Sequence, residues 1–394
     1  MSAKPIPDVV PDVLSPGTIG PLTLRNRTIK AATFEGRSDG GLVTDSLIRF
    51  HREVAAGGVG MTTVAYCAVA PEGRTQYHQI WMRPEAVPGL RRLTDAVHAE
   101  GAAVSAQIGH AGPVANPRSN RMAALGPSRR FNQLGAQLTR AATEEDIDRI
   151  ARAHGEAALL AVESGFDAVE VHLGHNYFAS SFLSPRINRR RDGFGGSLDN
   201  RAKVARSAVR AVRDAVGDRI AILAKFNMDD GVAGGLWLDE SLQVARWIEA
   251  DGSVDALELT VGSSLLNPMY LFKGDAPVRD FAAALPQPQR LGVRLLGRAF
   301  LREYPYRDAF LLEEARQFRA ALGLPLVLLG GITDRTVMDL AMAEGFPFVA
   351  MARALLREPD LVNRISRDGS ARSLCVHCNK CMPTNFSGTR CVLA

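Results

Sequence analysis

Eight times between residues 28 and 365 a short apolar run gives way to a stretch of helical periodicity, and this alternation narrows the fold more than any other feature. The apolar runs are residues 28–34, 61–66, 102–108, 167–172, 220–226, 256–260, 326–329 and 348–351. They are mostly apolar along their length, as strands buried on both faces of a parallel sheet are. The helical stretches carry their own punctuation. Thr44 reads as an N-cap with Gly57-Gly58 as the stop, Thr143 to Asp146 as an acidic first turn, and Gly101 closes the stretch 85–100. Eight strand–helix pairs predict one α/β domain, a (β/α)₈ TIM barrel, rather than two domains. A chain of 394 residues, 46% of them hydrophobic, has the material for such a core and for insertions. Residues 18–24, with Gly20-Pro21 at the turn, predict a hairpin ahead of the barrel. Residues 1–370 are assigned to the barrel and 371–394 to a separate cysteine-rich segment. Two stretches break the alternation: a polar excursion at 109–142, and residues 262–306, which show little helical or strand periodicity. The second follows strand six and is expected to cover the carboxyl face, with Tyr304 and Tyr306 reaching toward a substrate.

The formal charge of +5 is mild for this length. Arg129-Arg130 and Arg189-Arg190-Arg191 are short and lack interleaved aromatics, so nucleic acid is not an expected partner. No run approaches eighteen apolar residues and the N-terminal stretch lacks a signal-type apolar core, which predicts a cytoplasmic protein without a membrane partner. A homo-oligomer is compatible with the sequence. Four of the five cysteines, Cys375, Cys378, Cys381 and Cys391, fall in the last twenty residues, with Cys67 alone elsewhere. That is no disulfide framework for a large chain. Spacings of two, two and nine residues suit a thiolate metal site, either tetrahedral zinc or an iron–sulfur cluster.

Barrel active sites gather at the carboxyl ends of strands. There the fourth strand gives His172, His175 and Tyr177, three hydrogen-bonding side chains within six residues. Gln107 ends strand three and Lys225 strand five. Glu170, inside strand four, reads as a buried carboxylate held by a partner. Gly330-Gly331 after strand seven and Ala352-Arg353 after strand eight each open a helix. Two adjacent helix N-termini with an arginine predict a phosphate site, the cofactor or a small-molecule substrate supplying the phosphate.

The segment HLGHNY, with FLSPRINRRRDGFGGSLDNR after it, resembles the old yellow enzyme family of FMN-dependent ene reductases, and the resemblance runs from about residue 14 to 356. It implies non-covalently held FMN reduced by NAD(P)H, which then reduces the C=C of an α,β-unsaturated carbonyl compound. His172 and His175 would hold the carbonyl oxygen and Tyr177 would be the proton donor. Ala31, Ala32, Thr33 and Phe34 would pass beneath the flavin, Tyr66 would narrow the pocket, and Gln107 would meet the flavin's pyrimidine edge. Lys225 would be the cation near N1, and Gly330, Gly331, Ala352 and Arg353 would hold the phosphate. Phe34, Lys225 and Ala352 depart from commoner family choices. The tail resembles the cluster-binding run of 2,4-dienoyl-CoA reductase and trimethylamine dehydrogenase, which implies a [4Fe–4S] cluster with zinc as the alternative; in those relatives the last gap is longer and a nucleotide-binding domain follows. Two other readings stand beside this one: an electron-transfer flavoprotein using the cluster, and a flavin-free barrel lyase or isomerase acting on a phosphorylated substrate.

Overall fold

A computed structural model describes residues 10–132, 137–285, 287 and 289–394. Eight parallel strands close into a barrel in sequence order: β1 Thr28–Lys30, β2 Met61–Ala68, β3 Ala103–Gly109, β4 Ala168–Leu173, β5 Ala221–Asn227, β6 Ala256–Thr260, β7 Leu326–Leu329 and β8 Phe348–Met351. Helices α1 Asp45–Ala56, α2 Val87–His98, α3 Glu144–Glu163, α4 Leu198–Val216, α5 Leu238–Ala250, α6 Leu312–Ala321, α7 Arg335–Ala343 and α8 Leu361–Arg367 alternate with them. The architecture is the (β/α)₈ barrel that the alternation predicts.

Local chemistry sets the helix ends. The Thr44 side chain accepts from Leu47 N at the head of α1, and Thr143 with Asp146 makes a reciprocal capping box on α3. Ser197 and Asp334 cap α4 and α7 in the same way. Each such cap stabilises by about 1 kcal/mol. One large apolar core fills the space between strands and helices. A second cluster lies within the barrel, where Ile19 and Leu24 of the hairpin (Gly17–Ile19 with Leu22–Leu24) pack on Met61, Ala168, Ala221 and Phe348, residues near the starts of their strands. The hairpin thus stoppers the amino-terminal end, which leaves the carboxyl end for ligands.

The structure departs from the sequence reading in four places. Strand β1 stops at Lys30, and residues 31–34 run on outside it, with Ala31 N still donating to Met351 O (2.8 Å). The polar excursion holds a short helix, Pro117–Asn120, and three strands, Leu125–Gly126, Arg130–Asn132 and Gln137–Ala141, in a small sheet. The expected last helix is two, Arg353–Arg357 and α8, because Pro359 offers no amide to continue the ladder. Residues 262–306 contain helices Met269–Phe272, Val278–Ala284 and Gln289–Phe300. The last of these has amphipathic spacing that Gly292 and Gly297 conceal. Gly297 is needed for contact, since a Cβ there would lie 2.8 Å from Val278 Cγ1.

The tail folds back across the barrel mouth. Thr389 N donates to Glu35 O (2.7 Å), Arg37 to Thr389 O (3.0 Å), and Ser373 N to Thr333 O (2.9 Å). Gly36, with φ of +60°, is the close approach in this seam: a Cβ would sit 2.3 Å from Asn385 O. No helix among the described residues is long and apolar enough to cross a membrane.

Candidate active site

Strand β4 ends at Leu173, and the chain turns through His175 and Asn176, both non-glycine residues in the left-handed region with φ of +60° and +58°. Such a turn costs free energy and persists only when its surroundings impose it. Here Asn176 Nδ2 donates to Asp230 Oδ1 (3.0 Å), and His175 N to Asn227 Oδ1 (3.4 Å). The turn brings His172, His175 and Tyr177 onto one cavity of about 330 Å³ at the carboxyl end of the barrel. His172 Nε2 and His175 Nδ1 face one another at 3.3 Å, and His175 Nε2 lies 3.0 Å from Thr260 Oγ1. The Tyr177 ring is 4.3 Å from that of His172 and 5.4 Å from that of Tyr66. Burial, then the neighbouring His175 and Lys225, holds His172 well below the usual imidazole range, and His175 is pushed down to about 3 by burial and Lys225. Burial also raises the Tyr177 phenol. At neutral pH the three are two uncharged imidazoles and a protonated phenol.

Beneath them is a charged floor. Adjacent strands set Gln107 opposite Glu170 and Lys225 opposite Glu258. Gln107 Nε2 donates to Glu170 Oε1 (2.7 Å), which fixes the amide and leaves its oxygen unspent. Lys225 donates to Glu258 and lies 3.5 Å from Glu170, all three side chains being buried. Burial and Glu258 push Glu170 up to about 8, against the pull of Lys225. Burial alone would lower Lys225, but its acidic neighbours Glu170 and Glu258 outweigh it and raise it. Lys225 borders the cavity, yet it is not the free cation that the sequence reading supposes, because Glu258 already neutralises it. Glu258 itself was missed; a glutamate in an apolar strand run, ALELT, was the available signal.

At the other end, Gly330 and Gly331 have φ of +97° and +79°, and a Cβ on either would lie 2.8 Å from Leu311 Cγ or 2.7 Å from Ala309 N. Only glycine fits this loop. The first turn of α7 is already capped by the Asp334 carboxylate, so it is less open to an anion than expected. Arg353 is likewise engaged: its guanidinium donates to Lys273 O (2.9 Å), Phe272 O and Asn379 Oδ1. It ties the tail to the segment after β6 and is not a free clamp.

Every predicted cofactor-binding and catalytic residue, from Ala31 to Arg353, borders the one cavity. Tyr304 and Tyr306 do not. Asn267 donates to the Tyr304 hydroxyl (2.7 Å), and Tyr306 stacks on His377 at 3.3 Å; the segment instead offers Ser264, Leu271 and Phe272. The tail contributes His377, Cys381, Met382, Asn385 and Thr389 to the wall, which spacing alone did not suggest. Buried, unpartnered Thr33 Oγ1, the unspent Gln107 amide oxygen and the glycine cradle suit a polar heterocycle carrying a phosphate, and FMN fits them.

The four tail cysteines line a second, small cavity beside the first, and Cys381 borders both. Among the described residues no three His, Cys, Asp or Glu side chains converge in metal-holding geometry. The expected iron–sulfur or zinc centre is therefore not shown by this arrangement of the four sulfurs.

Residues 12–263 match the NADH:flavin oxidoreductase / NADH oxidase family. The chain belongs to that family. It is 53% identical over 383 residues to a 4,4'-dithiodibutanoate disulfide reductase of Rhodococcus erythropolis, covering 97% of this chain and 95% of that one. It is 27% identical to a multifunctional alkene reductase/demethylase of Caballeronia cordobensis, covering 96% of this chain and 52% of the relative. A 2-naphthoyl-CoA reductase complex shares the fold with a TM-score of 0.80 and 25% identity, over 94% of this chain and 54% of that structure. The Rhodococcus protein apart, the chain spans about half the length of the first curated relatives it matches. As a family member it is an FMN-dependent oxidoreductase, which sets aside the flavin-free lyase or isomerase.

Proposed function

We propose that this protein reduces the C=C of an α,β-unsaturated carbonyl compound with electrons from NAD(P)H. One observation carries the reading: two neutral imidazoles face each other at 3.3 Å beside a protonated tyrosine in the cavity that fits FMN. When bound, FMN supplies the two-electron chemistry, taking hydride from NAD(P)H and passing it to the second substrate. Gln107, Lys225 and the Gly330-Gly331 loop would hold it.

The chain's own residues do the rest. His172 and His175 donate to the carbonyl oxygen, and these bonds strengthen as that oxygen gains charge. Being uncharged, they polarise without transferring a proton. Tyr177 delivers its proton to the carbon next to the carbonyl and is reprotonated from water. Tyr66 and Phe272 exclude water and limit the width of what enters.

A second reading follows from the Rhodococcus relative. A disulfide accepting two electrons and two protons leaves as two thiols, and the same imidazoles can stabilise a departing thiolate while Tyr177 protonates it. The test is a stopped-flow comparison of cyclohexenone with an aliphatic disulfide dicarboxylate, in wild type and Tyr177→Phe. Faster reoxidation by the enone, slowed at least tenfold in the variant while reduction by NAD(P)H is kept, supports the first reading. Turnover of the disulfide alone moves the assignment to the second. Turnover of neither, with iron in the tail, leaves the electron-transfer flavoprotein.

A further inference from the structure

The hydrogen bonding behind the two histidines assigns a part to Thr260, a residue outside the sequence-derived site. We propose that the Thr260 hydroxyl, 3.0 Å from His175 Nε2, is a positioning residue that fixes His175 as the Nδ1–H tautomer and so makes the histidine pair a two-donor anion site. This rests on the reductive reading above and states which substrates suit it: those that gain negative charge on oxygen or sulfur as they react.

A neutral imidazole carries one proton and presents one donor and one acceptor. Where His172 Nε2 and His175 Nδ1 face each other, two arrangements exist. In one, a nitrogen of the pair is bare, the rings bond to each other, and at most one donor remains. In the other, both facing nitrogens carry protons and neither can satisfy its neighbour. An anionic atom reaching both then completes two hydrogen bonds at once.

The second arrangement follows when the Thr260 hydroxyl donates, as proposed, and two contacts are consistent with it. His172 Nδ1 is buried without a partner, so its proton belongs on Nε2, the nitrogen that has something to meet. His175 Nε2 meets the Thr260 hydroxyl, which can donate; when it does, the proton of His175 must lie on Nδ1. A carboxylate in this position would do the opposite, drawing the proton to Nε2 and leaving a bare nitrogen toward the substrate. Threonine at this spot is therefore a choice of polarity.

The geometry that holds Thr260 there is specific. It ends β6 in register with Asn227 of β5, and its carbonyl accepts from Met228 N (2.7 Å). Gly174 makes room: a Cβ on it would lie 3.2 Å from Thr260 Cγ2 and 3.4 Å from His172 Cε1. Lys225 beside both rings discourages a second proton on either, which keeps the pair neutral.

The test uses FMN-loaded protein and para-nitrophenolate as the anion probe. In ¹⁵N-histidine-labelled wild type, His175 is expected to be protonated on Nδ1; protonation on Nε2 overturns the proposal without any variant. Thr260→Val should weaken phenolate binding about tenfold and give mixed His175 tautomers, while Thr260→Ser restores both, the loss being that of about one hydrogen bond. FMN content is expected to stay stoichiometric in all three. Unchanged phenolate affinity and an unchanged His175 tautomer in Thr260→Val would reduce the threonine to packing. These readouts need no turnover. A protein that passes them yet reduces neither enone nor disulfide contradicts the functional reading and leaves the role of Thr260 standing.

Discussion

Glu170 should make the protein lose stability as pH rises, in a way its amide analogue does not. Folded, its carboxyl holds a proton up to about pH 8, whereas an unfolded glutamate releases it near 4.5. Between those values the folded state binds one more proton than the unfolded state, so stability falls with pH by about 1.4 kcal/mol per unit. The buried histidines pull the other way. His175, lowered to about 3, and His154, lowered to about 4, contribute stability that is present above about pH 6.5 and lost as pH falls through those values. Comparison with Glu170→Gln cancels them, because both proteins contain the same histidines, and the amide still accepts from Gln107. From pH 5 to 7.5 the variant should gain on wild type by about 3 kcal/mol. Urea unfolding of both FMN-saturated proteins across that range measures it. A difference independent of pH would show that Glu170 is ionised in the folded protein, and that Lys225 faces two carboxylates rather than one carboxylate and one carboxylic acid.

The other perturbations test separate parts of the site. Lys225→Met should cost about 3–5 kcal/mol of stability, since Glu258 would be left buried without its cation, and Lys225→Arg should recover most of it in the same urea assay. Phe272→Ala should lower KM for bulky substrates with FMN stoichiometry unchanged by absorbance; equal KM values for small and bulky enones would remove Phe272 from the pocket wall. Anaerobically prepared protein is expected to contain stoichiometric iron or zinc that Cys378→Ala abolishes while FMN is retained, and elemental analysis finding neither metal in wild type would reduce the four sulfurs to packing.

The barrel was legible because the apolar runs are bounded by chemistry that leaves little choice: Thr44 and Thr143 at helix starts, and strands too apolar to face water. Residues at strand ends were legible for the same reason, since the fold brings every carboxyl end to one mouth. What the sequence concealed lies in pairing. Nothing about Lys225 alone reveals Glu258, which becomes its partner through the register of β5 and β6. Arg353 reads as a cation for a phosphate until the carbonyls of Phe272 and Lys273 are seen around it. The helix Gln289–Phe300 escaped because glycines interrupt its apolar stripe; Leu295 and Leu296 stand 74% and 72% exposed, so its periodicity serves no buried face there. Thr260 is a strand-end residue like the others, but a hydroxyl carries no signal until the ring it meets is in place.

Residues 377–389 supply part of the wall of the cofactor cavity and are stitched to the loop after β1 by Thr389 and Arg37. This gives the order of assembly a direction. The barrel is synthesised first, and during that interval its mouth lacks one side. A flavin arriving then meets an open side, whereas one arriving afterwards meets the docked segment. If that segment bars the way, the release rate of bound FMN into excess labelled FMN is a clock for its local opening.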